Sequence, residues 1–410
     1  MEITDFPQHF RCPISMELME DPVTISTGVT YDRKNIETWF LTYKKTTCPA
    51  TMQPISDFQL TPNLTLKRLI LSWLAKNFPR PPPPDTPKHG EMISLLTTLE
   101  TTPFKENSLK KLKSMVEMGG EVKDDFVRSG GVEAILRILV VESSDFAAFT
   151  ACEEALGVLH KLLAFPGEEK TMKLLSDPEP TRALVVMLQR GSAEARHYAV
   201  SILQKLAKAT DNPNWISFLV QDHQGIDFFK SMLELISDQI YTKASSCALH
   251  VLIEVLSSSK TSRLKAIEAG AVCLLIELLP ESNKSRSEKI MQVIKLICQC
   301  AEGRAAFTEH RLGIAAVAKK MVSVSNVASR VGVRIMWLIC NSHPTERVLK
   351  EMVAAGAVEK MAALLHVDGG RSSSMKGQVV KMLRMHEGSW RRHPCFEGVL
   401  EYLGLGNGSF

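Results

Sequence analysis

From position 91 onward, apolar residues recur at helical spacing within a unit that repeats along the chain. Most units open on a glycine and an apolar residue, and a Leu-rich helical segment follows. Equivalent points in successive units are Met92, Val132, Thr181, Ile226, Val272, Ile314 and Val358. Their spacings are 40, 49, 45, 46, 42 and 44 residues. A period of this length is typical of helical repeat arrays.

A second helical segment lies between successive anchor points. These segments cover 151–163, 195–205, 244–256, 289–301 and 331–340. Small residues alternate in them with Leu, Ile and Val, as closely stacked helices require. An ordinary helical bundle is the alternative, but its helices would show no period, so the pattern favours an α-solenoid. The repeat boundary near residues 177–180, Asp-Pro-Glu-Pro without a glycine, stays open.

Before the repeats the pattern is different and predicts a small α+β unit. β-branched residues at 23–25 and a second apolar run at 29–31 predict two short strands, with Gly28 in the turn between them. Asp32 is a candidate N-cap of a short helix. The apolar positions of that helix are Ile36, Trp39, Phe40 and Tyr43. Asn63 is a candidate cap of a last helix, whose apolar stripe is Leu66, Leu69, Ile70, Trp73 and Leu74.

A proline run at 79–87 separates the two patterns. Such a run favours polyproline II and acts as a stiff spacer, although a ligand segment for an SH3-type domain is the alternative. The spacer is favoured because one composition gives way to another there. The predicted organisation is therefore a small domain at 1–78, a proline-rich linker at 79–90 and a helical solenoid at 91–410.

Composition narrows the functional classes. A net charge of +4 over 410 residues does not argue for nucleic-acid binding. The nine cysteines are odd in number and lie mostly among apolar helical residues, which indicates free thiols in a reducing compartment. The start of the chain lacks the basic flank and apolar run of a secretory signal, and no stretch is long enough to span a bilayer.

Metal binding by the small domain is not expected. Cys12, Cys48 and His9 are the only Cys or His residues before position 89, and a structural zinc site needs four ligands. We therefore predict no metal and no cofactor. Hydrogen bonds and ion pairs must then hold the loops around the two cysteines. Several charged residues could form them, although any single one could equally be a solvated surface group. The candidates are Glu17, Asp21, Asp32, Arg33, Glu37, Lys45 and Arg68.

Several motifs follow one another in order within the first 63 residues. They are two Cys-Pro loops at 12–13 and 48–49, Asp-Pro-Val at 21–23, Thr-Tyr-Asp-Arg at 30–33, Trp39, and Thr-Pro-Asn at 61–63. This ordered set resembles the U-box, the small domain of many ubiquitin ligases. In the repeats, Glu-Ala-Gly-Ala-Val at 268–272 and Ala-Ala-Gly-Ala-Val at 354–358 are similar to the armadillo consensus. The whole chain resembles the plant U-box–armadillo ubiquitin ligases. The implied fold is mainly α, with a metal-free RING-like U-box before an armadillo solenoid.

The resemblance implies a partner and a mechanism. A ubiquitin-conjugating enzyme carries the thioester, and this chain promotes ubiquitin transfer by positioning. Cys12 or Cys48 as a thioester-forming nucleophile is the alternative, but only His9 is near enough in sequence to activate one, so we interpret both as structural. The family's docking residues correspond to Ile14, Trp39 and Pro49. The alternative for Trp39 is a core residue, since an aromatic residue at helical spacing usually packs in the core.

One position departs from the family pattern. Many U-boxes carry a basic residue three places after the proline of the second loop, where this chain has Met52 followed by Gln53. A thioether cannot donate the charged hydrogen bonds of Lys or Arg. Two outcomes stay open: Gln53 takes over this role, or activation of the conjugating enzyme is weaker.

The repeats are expected to bind a protein substrate along their groove. Basic residues placed to line it are Arg196, Lys243, Lys289, Arg330 and Arg334. The dispersed histidines of the repeats form no spacing that binds metal. A non-enzymatic armadillo adaptor with a U-box-like association domain is the alternative function. The resemblance implies plant stress or defence signalling and a cytoplasmic location, with nuclear or peripheral-membrane sites also open.

Overall fold

The computed structural model describes residues 7–77, 87–102, 105–140, 146–165, 169–209, 214–221, 224–238, 242–366, 373–391 and 396. The chain divides into two compact units, Met1–Pro87 and Lys88–Phe410. Most of the predicted linker lies outside the described residues. None of the described helices is long and apolar enough to cross a membrane.

The small unit is built on a three-stranded antiparallel sheet in the order β2-β1-β3. Its strands are β1 (Pro22–Thr24), β2 (Thr30–Asp32) and β3 (Thr61–Pro62). Its helices are a 3₁₀ turn (Gln8–Phe10), α1 (Arg33–Glu37), a π-helical turn (Thr38–Thr42) and α2 (Leu64–Asn77). Gly28 has φ of +81°, which the tight turn between β1 and β2 requires. The predicted strand pair and both helices are present.

The core of this unit lies between the sheet and α1, where Val23, Tyr31, Ile36 and Cys48 are each 0% exposed. Tyr43 was predicted to lie on the core side of the short helix with Ile36 and Phe40. That prediction was wrong, because Tyr43 is 63% exposed. The amide of Tyr43 bonds to the carbonyl of Thr38 at 3.1 Å, five residues back. A π-helical turn changes the angular spacing of side chains, so Tyr43 leaves the face that carries Ile36.

Three further predictions about the small unit had different outcomes. Asn63 caps α2 as expected, since its Oδ1 accepts from the amide of Leu66 at 3.0 Å. Asp32 precedes α1, but its side chain makes no capping bond to that helix. The predicted stripe of α2 was wrong at Leu69, which is 53% exposed, whereas Leu66 packs against the core.

The second unit is a stack of helices with one continuous hydrophobic core. Its helices are α3 (Pro87–Thr101), α4 (Glu106–Glu117), α5 (Gly120–Arg128), α6 (Gly131–Val140), α7 (Phe146–Leu162), α8 (Glu169–Leu175), α9 (Pro178–Arg190), α10 (Ala193–Ala209), α11 (Asn214–Gln221), α12 (Gln224–Ser237), α13 (Thr242–Ser258), α14 (Lys260–Glu268), α15 (Ala271–Leu278), α16 (Lys284–Ile297), α17 (Ala301–Glu309), α18 (Gly313–Ser323), α19 (Asn326–Cys340), α20 (Glu346–Ala354), α21 (Ala357–His366), α22 (Ser373–Met385) and α23 (Glu387–Trp390).

From α5 onward these helices form three-helix repeats, with a short first helix, a second helix at the predicted anchor and a longer third helix. Among the described residues, the repeat that precedes them consists of α3, at the anchor Met92, and α4. The mainly α solenoid is confirmed. The short first helices, such as α5 and α14, were not predicted. At the open boundary, α9 begins with Pro178 in its first turn, which starts the helix without the glycine of the other repeats.

Third helices of neighbouring repeats pack on one another, so α4, α7, α10, α13, α16, α19 and α22 form one continuous ladder. Each helix contacts mainly its neighbours, as in repeat arrays generally. Along each of these helices, buried positions alternate with a face of half-buried and exposed side chains. That face is where a ligand of the repeats would lie.

Candidate functional site

The small unit contains two loops of nearly the same construction. In the first loop, residues 12–17, the amide of Cys12 bonds to the carbonyl of Glu17 at 2.8 Å. In the second loop, residues 48–53, the amide of Cys48 bonds to the carbonyl of Gln53 at 2.9 Å. A methionine occupies the fifth position of both loops. Each loop is therefore closed by its own backbone.

The two cysteine thiols are held by hydrogen bonds from the elements around them. Cys12 Sγ accepts from the amide of Asp32 at 3.3 Å and from Asn35 Nδ2 at 3.5 Å. Cys48 Sγ lies 3.0 Å from the hydroxyl of Tyr31, and that hydroxyl accepts from the amide of Ala50 at 3.0 Å. The sulfur atoms thus tie each loop to β2 and α1, so hydrogen bonds supply the cross-links.

Both thiols have lowered pKa values. Burial by itself would raise the pKa of Cys48, but hydrogen bonds from Thr27, Thr51 and Tyr31 lower it to about 6. Burial would also raise the pKa of the Cys12 thiol, but hydrogen bonds from backbone amides, that of Asp32 first, outweigh burial and lower it. A low thiol pKa is typical of a nucleophile. The side chains, however, are only 1% and 0% exposed, so neither sulfur is accessible to attack.

A charged network joins the residues just before β1 to the end of β2, to α1 and to α2. Asp32 Oδ1 accepts from the amides of Glu20 and Asp21 at 2.9 and 2.8 Å. Asp21 accepts from Arg33 Nε at 2.7 Å and from Lys67 Nζ at 3.0 Å. These hydrogen bonds, that of Arg33 first, lower the pKa of Asp21. Arg33 also lies 3.6 Å from Glu37, so four of the predicted members take part: Asp21, Asp32, Arg33 and Glu37. Lys67 was missed because 46 residues separate it from Asp21.

Helix α1 and the π-helical turn are tied to both loops. Asn35 Nδ2 donates to Ser15 Oγ in the first loop at 3.0 Å. Trp39 Nε1 donates to the carbonyl of Thr47, just before the second loop, at 2.8 Å. Each tie contacts a residue close in sequence to one of the predicted docking residues, Ile14 and Pro49.

The three predicted docking residues are exposed to a similar extent. Ile14, Trp39 and Pro49 are all half-buried. Ile14 and Trp39 pack against the core with part of their surface and leave the rest accessible. This combination suits an interface anchor, which needs a rigid base and an exposed apolar edge.

Met52 and Gln53 are exposed at the end of the second loop. The side chain of Met52 is 66% exposed, and its φ of +60° lies in the left-handed region that is unfavourable for a residue with a Cβ. Its amide bonds to the carbonyl of Cys48 at 2.8 Å, which fixes this conformation. The side chain at position 52 therefore extends into solvent at the rim of the loop.

The predicted groove residues divide into two groups. Lys243, Lys289, Arg330 and Arg334 lie on the third helices α13, α16 and α19. Arg196 lies on α10, but its guanidinium bonds to Glu234 of α12 at 2.8 Å, so its charge is already paired within the repeat. Sequence reasoning missed Lys208 and Lys295, which occupy the same ladder.

The fold also brings together three groups that are distant in sequence. Donor atoms of Cys273, Glu277 and His310 lie within 4.8 Å of one another, at the surface between α15 and the end of α17. Cys273 Sγ donates to Glu277 Oε1 at 3.4 Å, and the amide of Leu312 donates to His310 Nδ1 at 3.3 Å. Within the described ranges the group offers three ligands, one fewer than a structural zinc site takes.

Comparison with known proteins identifies both units. The U-box domain profile matches residues 6–78, and the profile of the plant U-box protein ARM repeat region matches residues 91–401. E3 ubiquitin-protein ligase PUB23 of Arabidopsis thaliana is 34% identical over 411 residues, covering 96% of both chains. E3 ubiquitin-protein ligase PUB22 of the same plant is 31% identical, covering 95% of this chain and 96% of its own.

The fold is similar to that of a crystallised engineered protein. The TM-score is 0.54 at 17% identity, over 77% of this chain and 75% of the other. That likeness concerns the fold alone. The family follows from the repeat-region profile over most of the chain and from relatives that cover nearly all of it: the chain belongs to the plant U-box ubiquitin ligases that carry an armadillo-repeat region.

Proposed function

We propose that the U-box of this ligase docks a ubiquitin-charged conjugating enzyme on Ile14, Trp39 and Pro49, while the repeats hold the protein substrate. The observation that carries the proposal is the pair of ties from Asn35 to the first loop and from Trp39 to the second. They hold the two loops and the intervening helical segment in one arrangement, so that three half-buried apolar residues are presented on a rigid base.

Catalysis by this chain is then catalysis by positioning. The lysine amine of the substrate attacks the carbonyl carbon of the thioester on the conjugating enzyme. A C–N bond forms and the C–S bond breaks. The cysteine sulfur of the conjugating enzyme leaves as a thiolate and ends as a thiol, with the proton that the amine loses. Cys12 and Cys48 take no part, because their sulfur atoms are buried and hydrogen-bonded. The contribution of this chain is proximity and orientation, effects that supply about 7–11 kcal/mol in well-oriented systems.

The rim of the second loop sets the rate at which the docked enzyme is activated. Met52 is exposed where many family members have a basic residue, and its thioether offers no charged donor. Gln53 is exposed beside it and carries an amide that can donate. We therefore expect transfer to proceed at a moderate rate, limited by position 52.

The cytoplasm is the proposed site of action, and nuclear or peripheral-membrane sites are compatible with it. The eight cysteines among the described residues are all free, which is usual in reducing compartments. A role in plant stress or defence signalling stays part of the proposal and rests on the family resemblance.

A reconstituted self-ubiquitination assay with a panel of conjugating enzymes tests the docking site. The wild type should form ubiquitin conjugates, and Ile14→Ala should reduce their rate with the active enzymes. Leu41→Ala is the matched control, since Leu41 is an apolar side chain, 74% exposed, that lines a separate cavity with Phe40 and Phe58. Equal loss in both variants would overturn the assigned docking site. No conjugates with any enzyme would favour the adaptor.

A further inference from the structure

Two parts of the ladder of third helices differ in their balance of positive and negative charge. In α4 and α7 the formal charges balance, with four Lys and four Glu residues. Lys113 Nζ lies 3.8 Å from Glu154 and 3.5 Å from Glu194, and Lys161 bonds to Glu117 at 2.5 Å. Three of these four lysines, Lys110, Lys113 and Lys161, therefore pair with carboxylates of neighbouring repeats.

The part formed by α13, α16 and α19 is unbalanced, with seven Lys or Arg residues against two Glu. One of the two, Glu288, accepts a hydrogen bond from Ser325 Oγ at 2.5 Å. Together with the end of α10, these helices present a set that we call the basic ladder. Its members are Lys208, Lys243, Lys289, Lys295, Arg330 and Arg334. In the part of the chain that the structure describes, none of the six forms an ion pair within 4.0 Å.

The cations of the basic ladder influence one another across the helices. Burial lowers the pKa of Lys295, and Arg334 on the next helix lowers it further. Burial also lowers the pKa of Lys289, and Lys208 contributes in the same direction from two helices away. Lys295 and Lys289 therefore each feel the positive charge of a cation on another helix of the ladder, and a single extended anionic ligand can reach several of these cations. Their repulsion is relieved when such a ligand binds.

The ladder also contains a recess that fits a carboxylate side chain. A cavity of about 120 Å³ lies between the beginnings of α13 and α16. Lys289 Nζ and Ser246 Oγ line it and are hydrogen-bonded to each other at 2.6 Å. Arg286 lines the same recess. The guanidinium of Arg286 already donates to the carbonyl of Ile236, so it adds positive charge to the wall of the recess. The ammonium of Lys289 and the hydroxyl of Ser246 are the donors that a carboxylate would accept from.

We propose that the basic ladder binds an acidic, extended segment of the substrate protein, with its carboxylates paired to the ladder cations and one of them in the recess. The inference rests on the proposed function, in which the repeats hold the substrate. Three steps between neighbouring helices, from α10 to α19, span about 27 Å at ordinary helix packing distances. An extended peptide covers that span with roughly eight residues.

Fluorescence anisotropy with the full chain tests the proposal. The probe is a fluorescein-labelled peptide of about twelve residues in which Glu alternates with Ser and Gly, and the control peptide has Gln for every Glu. The wild type should bind the Glu peptide and not the Gln peptide. Added salt should weaken this binding, because exposed ion pairs are screened.

Two double variants distinguish binding by the ladder cations from a general effect of the protein's net charge. Lys289→Gln with Arg334→Gln should weaken binding of the Glu peptide roughly ten-fold, since it removes the half-buried cation of the recess and one exposed cation of the ladder. Lys173→Gln with Lys350→Gln is the matched control, because it removes the same charge from exposed positions on the first helices α8 and α20. Binding should not change in the control.

Three results would overturn the proposal: no preference for the Glu peptide over the Gln peptide, equal weakening in both double variants, or stronger binding of a single-stranded oligonucleotide at the same sites. The assay contains neither conjugating enzyme nor ubiquitin. Absence of peptide binding with intact self-ubiquitination would therefore refute the basic ladder alone. Absence of self-ubiquitination would refute the proposed U-box function instead.

Discussion

Replacing Trp39 with Ala should stop ubiquitin transfer while leaving the protein folded. The change removes an apolar ring from the proposed docking surface and also the hydrogen bond from Nε1 to the carbonyl of Thr47. If Trp39 is an interface hot spot, loss of the ring costs about 2 kcal/mol of binding free energy or more. That corresponds to roughly thirty-fold weaker binding of the conjugating enzyme.

The same substitution has a smaller effect on folding. Losing the hydrogen bond costs about 1 kcal/mol of unfolding free energy. The ring is only half-buried, so its removal costs less than the ~3–5 kcal/mol that is usual for a buried aromatic residue. The sum stays below the ~5–15 kcal/mol that is typical of a folded domain. Trp39→Ala should therefore melt at a lower temperature but remain cooperative.

Trp39→Phe separates the two contributions, because Phe keeps most of the ring and lacks the donor to Thr47. Conjugating-enzyme binding and discharge of its ubiquitin thioester should be measured for both variants, with thermal unfolding followed by near-UV circular dichroism. Trp39→Phe should retain most of the binding. An unfolded Trp39→Ala protein would show that the ring is core, and full activity in a folded one would place the docking surface elsewhere. Equal losses in both variants would show that the tie to Thr47 matters more than the ring.

Four further predictions concern the small unit. Tyr31→Phe leaves the amide of Ala50 without its acceptor and should cost about 1–3 kcal/mol of unfolding free energy, measurable by denaturant titration against wild type. Because the pKa of Cys48 is about 6 when folded against an ordinary value of 9.0, its stabilising effect is complete above pH 9 and is lost as the pH falls through 6. The melting temperature should thus rise from pH 6 to 9, and Cys48→Ala should flatten that rise; an unchanged slope would contradict the lowered pKa. Met52→Arg should raise the rate of ubiquitin transfer without tightening substrate binding, whereas an unchanged rate would show that position 52 is not limiting. Elemental analysis should find no stoichiometric zinc in the U-box, whose Cys12, Cys48 and His9 cannot complete a site, and a chelator-sensitive melt of that unit would refute this.

Much of the architecture could be predicted because it depends on local or periodic signals. The repeat period placed the second and third helices, since each repeat buries an equivalent apolar face. Asn63 was recognisable as a cap because its partner, Leu66, is three residues away. Trp39 was expected at the border of the core because Ile36, Phe40 and Tyr43 were assigned to the core stripe. Trp39 is half-buried as expected, although Tyr43 is exposed. Each of these signals lies within one element or recurs at a fixed interval.

The remainder depends on contacts that join distant parts of the chain. Lys67 reaches Asp21 only because α2 packs beside β1, and the sequence gives no pairing signal across 46 residues. The exposure of Tyr43 follows from the π-helical turn at Thr38–Thr42, which the pattern of apolar residues does not predict. Whether a groove cation is free or paired depends on the facing helix, as Glu234 shows for Arg196.

The local closure of the two loops has a consequence for the order of folding. Each loop is closed by a hydrogen bond between residues five apart, as Cys12 with Glu17, so its closure entropy is small and its formation is fast. Pairing of β1 with β3 instead joins Val23 to Pro62 across most of the domain. We therefore expect both loops to be structured early and the β1–β3 pairing to form after the rate-limiting step. Substitutions in the loops should then slow folding, whereas substitutions near Pro62 should mainly speed unfolding.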